Sequence, residues 1–463
     1  MGLTGALLRA GAARPHVLIA TMPGATAVRL AAEEQLRRRG WPAAMTPADA
    51  DILLVAGDAV TPLAEVVEVT WQAMPAPRAR AAAARPDEVT AALEASRVRL
   101  GDRAAQQALA ATGPGRSPLH HRGPDGHRPD ADTGHHGHDS GGGDHDHGHG
   151  DEDHAHGGGV AGQKDESEGR GHRSMDHGHE DGGGHGHGDG GHDHGAGGME
   201  IPGGLPMADR GDDRDGLRLD QLHLPLGPVL PDWPAGLVLR VTLQGDVIQE
   251  AEPEVLGGGG GSFWDEPWRR AAAGEHVRTA EAARRAAASY LDSLGRFLAV
   301  AGWDAAAVAA RRLRDEVLAG APSGRLRRDA GRFARRVAAS RVLAWLTGGL
   351  GVLTAAEAAA VGVAGPALRA GGDVTARYRQ WCADLAGAAG SFNDASPLRP
   401  AGLAPPRGPA GDGGAPSAGL VAVLPRLLAG TELAAARLII ASLDPDLDQL
   451  PALMEAGMVG DGH

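Results

Sequence analysis

From residue 113 to residue 198 the chain carries almost no aliphatic or aromatic side chains, and this gap constrains everything around it. The stretch "HDSGGGDHDHGHGDEDHAHGGG" (residues 138–159) is typical, filled with glycine, histidine and aspartate. Such a segment buries too little apolar surface to offset the entropy lost on ordering, so it is expected to be disordered. The 463-residue chain must then build its cores in two blocks, one before the tract and one after it. Positions 116–198 also hold 17 acidic against 6 basic residues, a net of −11 in a chain whose total is −14. The rest is close to neutral, which argues against nucleic-acid binding or a global basic membrane patch.

The tract concentrates metal-ligand chemistry. Of the 22 histidines, 18 lie between His120 and His194. His-x-His and Asp-His repeats set neutral imidazoles beside carboxylates, and the glycines let several converge on one ion. The candidate metal ligands are His135, His136, His138, His145, His147, His149, His154, His156, His177, His179, His185, His187, His192 and His194. The expected cofactor is a divalent ion, Zn or Ni. The competing reading is a solvated linker whose metal affinity is incidental.

The block before the tract reads as a small α/β unit. "HVLIA" (His16–Ala20) and "ADILLVAG" (Ala50–Gly57) are short apolar runs ended by turn residues, and a helix is expected over Val28–Arg39 between them. Two buried strands joined by a helix predict a parallel sheet. Ala79–Pro86 is ambiguous, and Asp87–Arg99 reads as another helix. "TMPGAT" (Thr21–Thr26) sits where α/β folds bind phosphates, but it lacks GxGxxG and a P-loop lysine, so it reads as a structural turn.

After the tract, "LVLRVTLQGDVIQEAEPEV" alternates Leu237, Leu239, Val241 and Leu243 before Gly245-Asp246, the pattern of a β-hairpin. Residues 257–268 read as a flexible loop followed by an aromatic anchor. Helices are expected over Glu275–Val300, Asp304–Leu318 with Asp304 as N-cap, Leu326–Leu346 and roughly Gly419–Leu428, with Pro425 an awkward presence in the last. Leu438–Ala441 reads as a short strand or a buried turn. Seven arginines between Arg325 and Arg341 read as a solvated face, with a docking face for an acidic partner as the alternative. Cys382, the only cysteine, reads as a buried residue on a helix; one thiol excludes a cluster held by about four thiolates.

Four stretches then carry a resemblance. "LHLPLGPVLPDWPAGLVLRVTLQGDVIQEAEPEV" (Leu222–Val255) resembles the N-terminal β-region of the catalytic, 49 kDa-type subunit of respiratory complex I and of membrane-bound [NiFe] hydrogenase large subunits. "GLGVLTAAEAAAVGVAGPALRAGG" (Gly349–Gly372) is similar to a second segment of that subunit, with Gly351, Glu357, Gly362, Gly365, Pro366 and Arg369 fitting its pattern. "LIIASLDPDLDQL" (Leu438–Leu450) resembles its "GSLDPxxxxxDR" ending. "ADILLVAGDAVTPLAEVVEVTWQAMPAPR" (Ala50–Arg78) resembles the 20 kDa-type small subunit of the same enzymes. The resemblance implies a fusion of small and large subunits.

It does not bring the redox ligands with it. "TMPG" (Thr21–Gly24) stands where a cysteine-bearing loop would be, the paired Cys-x-x-Cys motifs are absent, and Leu230 stands where the family's "GPxHP" histidine would fall, with His223 lying upstream. No iron–sulfur cluster is expected, and no catalytic or cofactor-binding residue is assigned. The expected architecture is an α/β domain with a parallel sheet plus an α+β domain with an antiparallel β-region and a helical bundle, joined by a disordered His-rich linker. Its parts are the small-subunit-like domain over 14–112, the linker over 113–198, a β-region over 199–256, a helical bundle over 257–395, a Pro/Gly linker over 396–418 and a C-terminal segment over 419–455. The expected role is a structural, assembly or regulatory component of a complex I-like or hydrogenase-like membrane assembly, not catalytic alone. A nickel or zinc chaperone for a hydrogenase-like client, and an oxidoreductase subunit that keeps quinone-site contacts, are the alternatives. The expected location is cytoplasmic, peripheral to the membrane through partners only, because no run of 18 or more apolar residues and no signal-peptide core occurs.

Overall fold

A computed structural model describes residues 11–59, 63–111, 209–212, 218–258, 261–399, 402–408 and 415–450. The expected disordered linker over 113–198 and all fourteen candidate metal ligands lie outside the described residues.

Before the tract, β1 (Val17–Thr21), α1 (Thr26–Arg39), β2 (Ile52–Ala56), α2 (Leu63–Ala73), β3 (Ala79–Ala83), α3 (Val89–Gly101) and α4 (Arg103–Ala111) follow in order. The strands form a parallel sheet in the order β1-β2-β3, with Val17 opposite Ile52 and Ile52 opposite Ala79. β2 is buried along its whole length, which is why it reads as an unbroken apolar run. The ambiguous alanine/arginine stretch is the third strand. Ala79, Ala81 and Ala83 point inward, small enough for α3 to lie close, and Ser96 of that helix donates to the Arg80 carbonyl at 3.1 Å.

After the tract, β4 (Asp209–Asp212), β5 (Arg218–Leu226), β6 (Leu237–Gln244) and β7 (Val247–Val255) form an antiparallel sheet in that order. Gly245-Asp246 is the turn of the β6–β7 hairpin, as expected. Leu237, Leu239, Val241 and Leu243 of β6 enter the helical core, while Val238 enters the core of the parallel sheet. Leu30 of α1 crosses the other way into the helical core. Each such side chain, fully buried, contributes about 1.5–3 kcal/mol, so β6 and α1 hold the described residues on both sides of the tract as one compact unit.

The helices are α5 (Glu266–Ala272), α6 (Thr279–Val300), α7 (Asp304–Leu318), α8 (Ser323–Ala338), α9 (Arg341–Thr347), α10 (Ala355–Ala360), α11 (Gly365–Ala370), α12 (Val374–Gly390), α13 (Pro416–Ala422), α14 (Leu424–Leu428) and α15 (Leu433–Leu443). α6 is the axis, buried on nearly every side and packed on α7, α12 and α15. Its alanines admit the neighbouring helices closely, and Phe297 stacks on Tyr378 of α12 with ring centroids 5.3 Å apart. Among the described residues no helix is long and apolar enough to cross a membrane.

Several boundaries differ from expectation for local reasons. The helix expected over Leu326–Leu346 breaks at Ser340, whose side chain accepts from the Leu343 N–H and caps α9. The helix expected over Gly419–Leu428 is two, and Pro425 falls in the first turn of α14, where its missing N–H has no partner to lose. Leu438–Ala441 is neither strand nor turn but part of α15; all four side chains are buried, and an apolar run buried all round carries no helical period. Asp304 is the first residue of α7 rather than its cap.

Candidate functional site

Where α1 meets α6 and α7, charged side chains replace apolar ones. The Asp292 carboxylate, 1 % exposed, accepts from Arg29 at 2.7 and 3.1 Å and from Arg314 at 2.6 Å. Arg314 is wholly buried and also reaches Glu33 at 2.8 Å and Asp315 at 2.9 Å. Arg37 pairs with Asp315, Arg311 with Asp232 and Arg296 with Asp444. Burial alone would raise the carboxyls of Glu33 and Asp292. The surrounding guanidiniums outweigh it and hold both below the usual carboxylate range. At Asp232 burial wins over Arg311, and its carboxyl is pushed up. The α1 positions involved, Arg29, Glu33 and Arg37, recur every four residues on one face, which turns a helix edge into a seam.

The segment resembling the family's C-terminal ending closes the seam from the other side. After α15, Asp444 takes a left-handed conformation at φ 47° and receives Arg296, Arg407 and the Ser293 hydroxyl. Asp448 accepts from the Gly24 N–H at 2.6 Å, so a carboxylate of this protein occupies the N-terminal end of α1. That contact gives the "TMPGAT" turn an anionic partner from within the chain. Burial, with Asp446 nearby, pushes the Asp448 carboxyl up to about 6, and burial does the same to Asp265, also to about 6.

A pH dependence follows. Between the unfolded carboxyl value of about 4 and the folded value of about 6, the native state binds more protons than the unfolded chain. Stability therefore falls as pH rises through this window and is flat above it. Asp448→Asn keeps an acceptor for Gly24 and removes a buried titrating group. It is expected to stabilise the protein at pH 7.5 by on the order of 2 kcal/mol and to flatten the slope, measured as urea unfolding between pH 4.5 and 7.5.

The glycine-rich stretch that fits the family pattern lies against the same segment. A Cβ on Gly351 would fall 2.7 Å from Ile439 of α15, and one on Gly365 would fall 2.5 Å from the Arg407 backbone. Both have positive φ, so the pattern's glycines answer to close approach as well as to turn geometry. Glu357 forms a capping box with Thr354 at the start of α10, Pro366 opens α11, and Arg369 pairs with Asp384 at 2.8 Å on the surface. Arg377, 1 % exposed, ties the two segments together. It donates to the Gly351 carbonyl at 2.8 Å, the Gly372 carbonyl at 2.9 Å and the Ser442 hydroxyl at 2.9 Å.

Between β1, residues 43–45, residues 228–235 and the facing ends of α6 and α7 lies a cavity of about 180 Å³. Leu230 is on its wall, beside Asp232 and Trp233, with Arg29, Arg296 and Arg311 around it. Trp233 is fixed by a 2.7 Å hydrogen bond to the Leu237 carbonyl.

Among the described residues, the positions where the resemblance would put the cluster's ligands are not arranged to hold one. The cysteine-bearing loop is replaced by packed side chains: Met22 is buried, and a Cβ on Gly57 would lie 2.5 Å from Ala25 and 3.1 Å from Met22. The single thiol, Cys382, is buried on α12 and pushed by burial up to about 12, the opposite of a metal-ligating thiolate. Among the described residues no group of three His, Cys, Asp or Glu side chains is placed to hold a metal ion.

Sequence reading located the glycines and the hairpin but missed the buried arginines. Arg29, Arg314, Arg377 and Arg407 look like any others in an arginine-rich chain, and Arg407 lies in the Pro/Gly stretch over 396–418 yet is buried against Ser289 and Asp444. A weak signal existed for Asp292, an acid inside an otherwise alanine- and leucine-rich α6.

No protein-family model matches the chain, and no curated protein matches it. Among solved structures it is similar to one chain of "the membrane-bound sulfane sulfur reductase (MBS), an archaeal respiratory membrane complex", with a TM-score of 0.34 and 16% identity, over 50% of this chain and 98% of that one.

Proposed function

We propose that this protein is a non-catalytic structural or assembly component of a complex I-like or hydrogenase-like membrane assembly. The observation that carries the reading is the seam. At the junction of the two subunit-like halves, where the resemblance implies redox ligands, arginine–carboxylate pairs and the packed Met22, Ala25 and Gly57 stand instead. A second observation supports attachment to an acidic partner subunit. On α9, Val342 is 75% and Trp345 84% exposed, with Leu346 beside them. α8, just before it, turns Arg325, Arg328, Arg332, Arg335 and Arg336 to solvent, and Asp329 is the one acid among residues 325–341. Tryptophan and arginine on an exposed face are the residue types enriched in protein–protein interfaces.

The same proposal takes the histidine tract as a divalent-ion-binding segment for Zn or Ni. Its affinity should fall as pH drops through about 6.5, because only neutral imidazole binds metal. The full chain, tagged and purified from its own cells, tests both parts. Capture of subunits of a quinone-reductase or hydrogenase type of assembly is expected, about tenfold weaker for Trp345→Glu and unchanged when residues 116–198 are deleted. Capture that depends on the tract and ignores Trp345 would overturn the structural reading in favour of metal delivery.

A further inference from the structure

The two arginines on the far wall of the seam cavity are not used up by their partners. Arg311 gives one terminal nitrogen to Asp232, and its Nε is buried without a hydrogen bond, 3.8 Å from Glu33. Arg296 gives one terminal nitrogen to Asp444, and its Nε, 3.5 Å from Asp292, is likewise buried without a hydrogen bond. A guanidinium carries five N–H donors in a fork that matches a carboxylate or phosphate. Each therefore brings N–H donors without a hydrogen bond to a cavity lined also by Arg29, Glu33 and Asp232 and, on its apolar side, by Leu18, Leu230, Trp233 and Ala299.

The charges around the cavity lean the same way. On the lining, Arg29, Arg296 and Arg311 face the inner carboxylates Glu33 and Asp232, three cations against two, and behind it Arg37 and Arg314 are matched by Asp292 and Asp315. Asp444, the further acid on Arg296, is shared with a further cation, Arg407, so it does not change the balance. Asp304, also on the lining, is exposed at the start of α7 and points its charge to a rim that water reaches. An unmatched buried guanidinium is costly unless a counter-ion or water satisfies it. At about 30 Å³ per water, the volume of about 180 Å³ takes roughly six waters or one small molecule.

We propose that the seam cavity binds a small oxyanion, a phosphate or a short-chain carboxylate, held by Arg296 and Arg311 with any hydrocarbon part against Leu230 and Trp233. The ligand completes the ion network between α1, α6 and α7 and so ties the folded halves more tightly together.

Isothermal titration calorimetry on the full chain, in low-chloride buffer with chelator to strip the histidine tract, tests this with two probes, inorganic phosphate and butyrate. Saturable one-to-one binding of at least one is expected, and which one binds identifies the oxyanion. Arg311→Gln should weaken it about tenfold or more. Because that variant also breaks an ion pair, Ala299→Leu provides the second arm: it fills the cavity from α6, keeps every charge, and should abolish binding while circular dichroism stays unchanged. No saturable binding of either probe would overturn the proposal. So would binding that survives Ala299→Leu intact.

Discussion

Replacing Asp292 with alanine is expected to destabilise the protein by about 3–5 kcal/mol, the range for breaking a buried ion pair by removing one partner. Asp292 sits among Arg29, Arg296 and Arg314. Its loss removes the one carboxylate shared by all three guanidiniums, leaving Glu33 between Arg29 and Arg314, Asp315 on Arg314 and Asp444 on Arg296. Arg314, fully buried, has no route to water. Equilibrium urea unfolding measures the loss. A second readout isolates the seam: a protease site is introduced within residues 118–198 and the chain is cut there. The wild-type halves should stay together on gel filtration, because β6 and α1 exchange apolar side chains and Asp292 of α6 pairs with Arg29 of α1. The Asp292→Ala halves should separate. A cost below about 1 kcal/mol, the size of a solvated surface pair, would mean that the network is not a keystone of the fold.

Gly365→Ala should cost about 2–4 kcal/mol. About 1–2 kcal/mol of that is the left-handed backbone, disfavoured for any residue with a Cβ; Gly365 has φ 65°. The remainder comes from the new methyl lying 2.5 Å from the Arg407 carbonyl group, a backbone atom that cannot rotate away. Moving that strand of chain also moves the Arg407 guanidinium off Asp444. Gly349→Ala is the control: φ is 78°, but nothing lies within 4 Å of its Cβ position, so it should cost the backbone term alone. Equal losses at the two sites would show that the close approach of residues 402–408 to α11 has no energetic weight.

What the sequence made legible follows from which forces leave a period. The β6–β7 hairpin was readable because Leu237, Leu239, Val241 and Leu243 alternate along one face and Gly245-Asp246 marks its turn. The parallel sheet was readable from β1 and β2, which are apolar but for Thr21 at the end of β1. β3 was not, because its inward residues are alanines, which any element accommodates. α15 read as a strand or buried turn for the complementary reason: total burial erases the helical period. The seam was the least legible part. A buried arginine is identified by its partners, and beyond the adjacent Asp315 those of Arg314 are 281 residues away at Glu33 and 22 away at Asp292. No local pattern encodes such pairs. The exposed apolar face of α9 was equally hidden, since Val342, Trp345 and Leu346 follow helical spacing and spacing cannot say which face the fold leaves open. The candidate ligands from His135 to His194 lie outside the described residues, and their role stands as part of the proposal.

The central claim is that the described residues on both sides of the tract form one body around an ion-paired seam, and the proposal adds that this body holds no redox centre of its own. Anaerobic purification of the full chain, followed by iron and acid-labile sulfide analysis and a visible absorption spectrum before and after dithionite, tests it most directly. The expected result is iron and sulfide far below one equivalent per chain and no bleaching on reduction. Stoichiometric iron and sulfide, with absorption that bleaches under dithionite, would contradict it, because a chain with one buried cysteine would then be holding a cluster by ligands that this account does not contain.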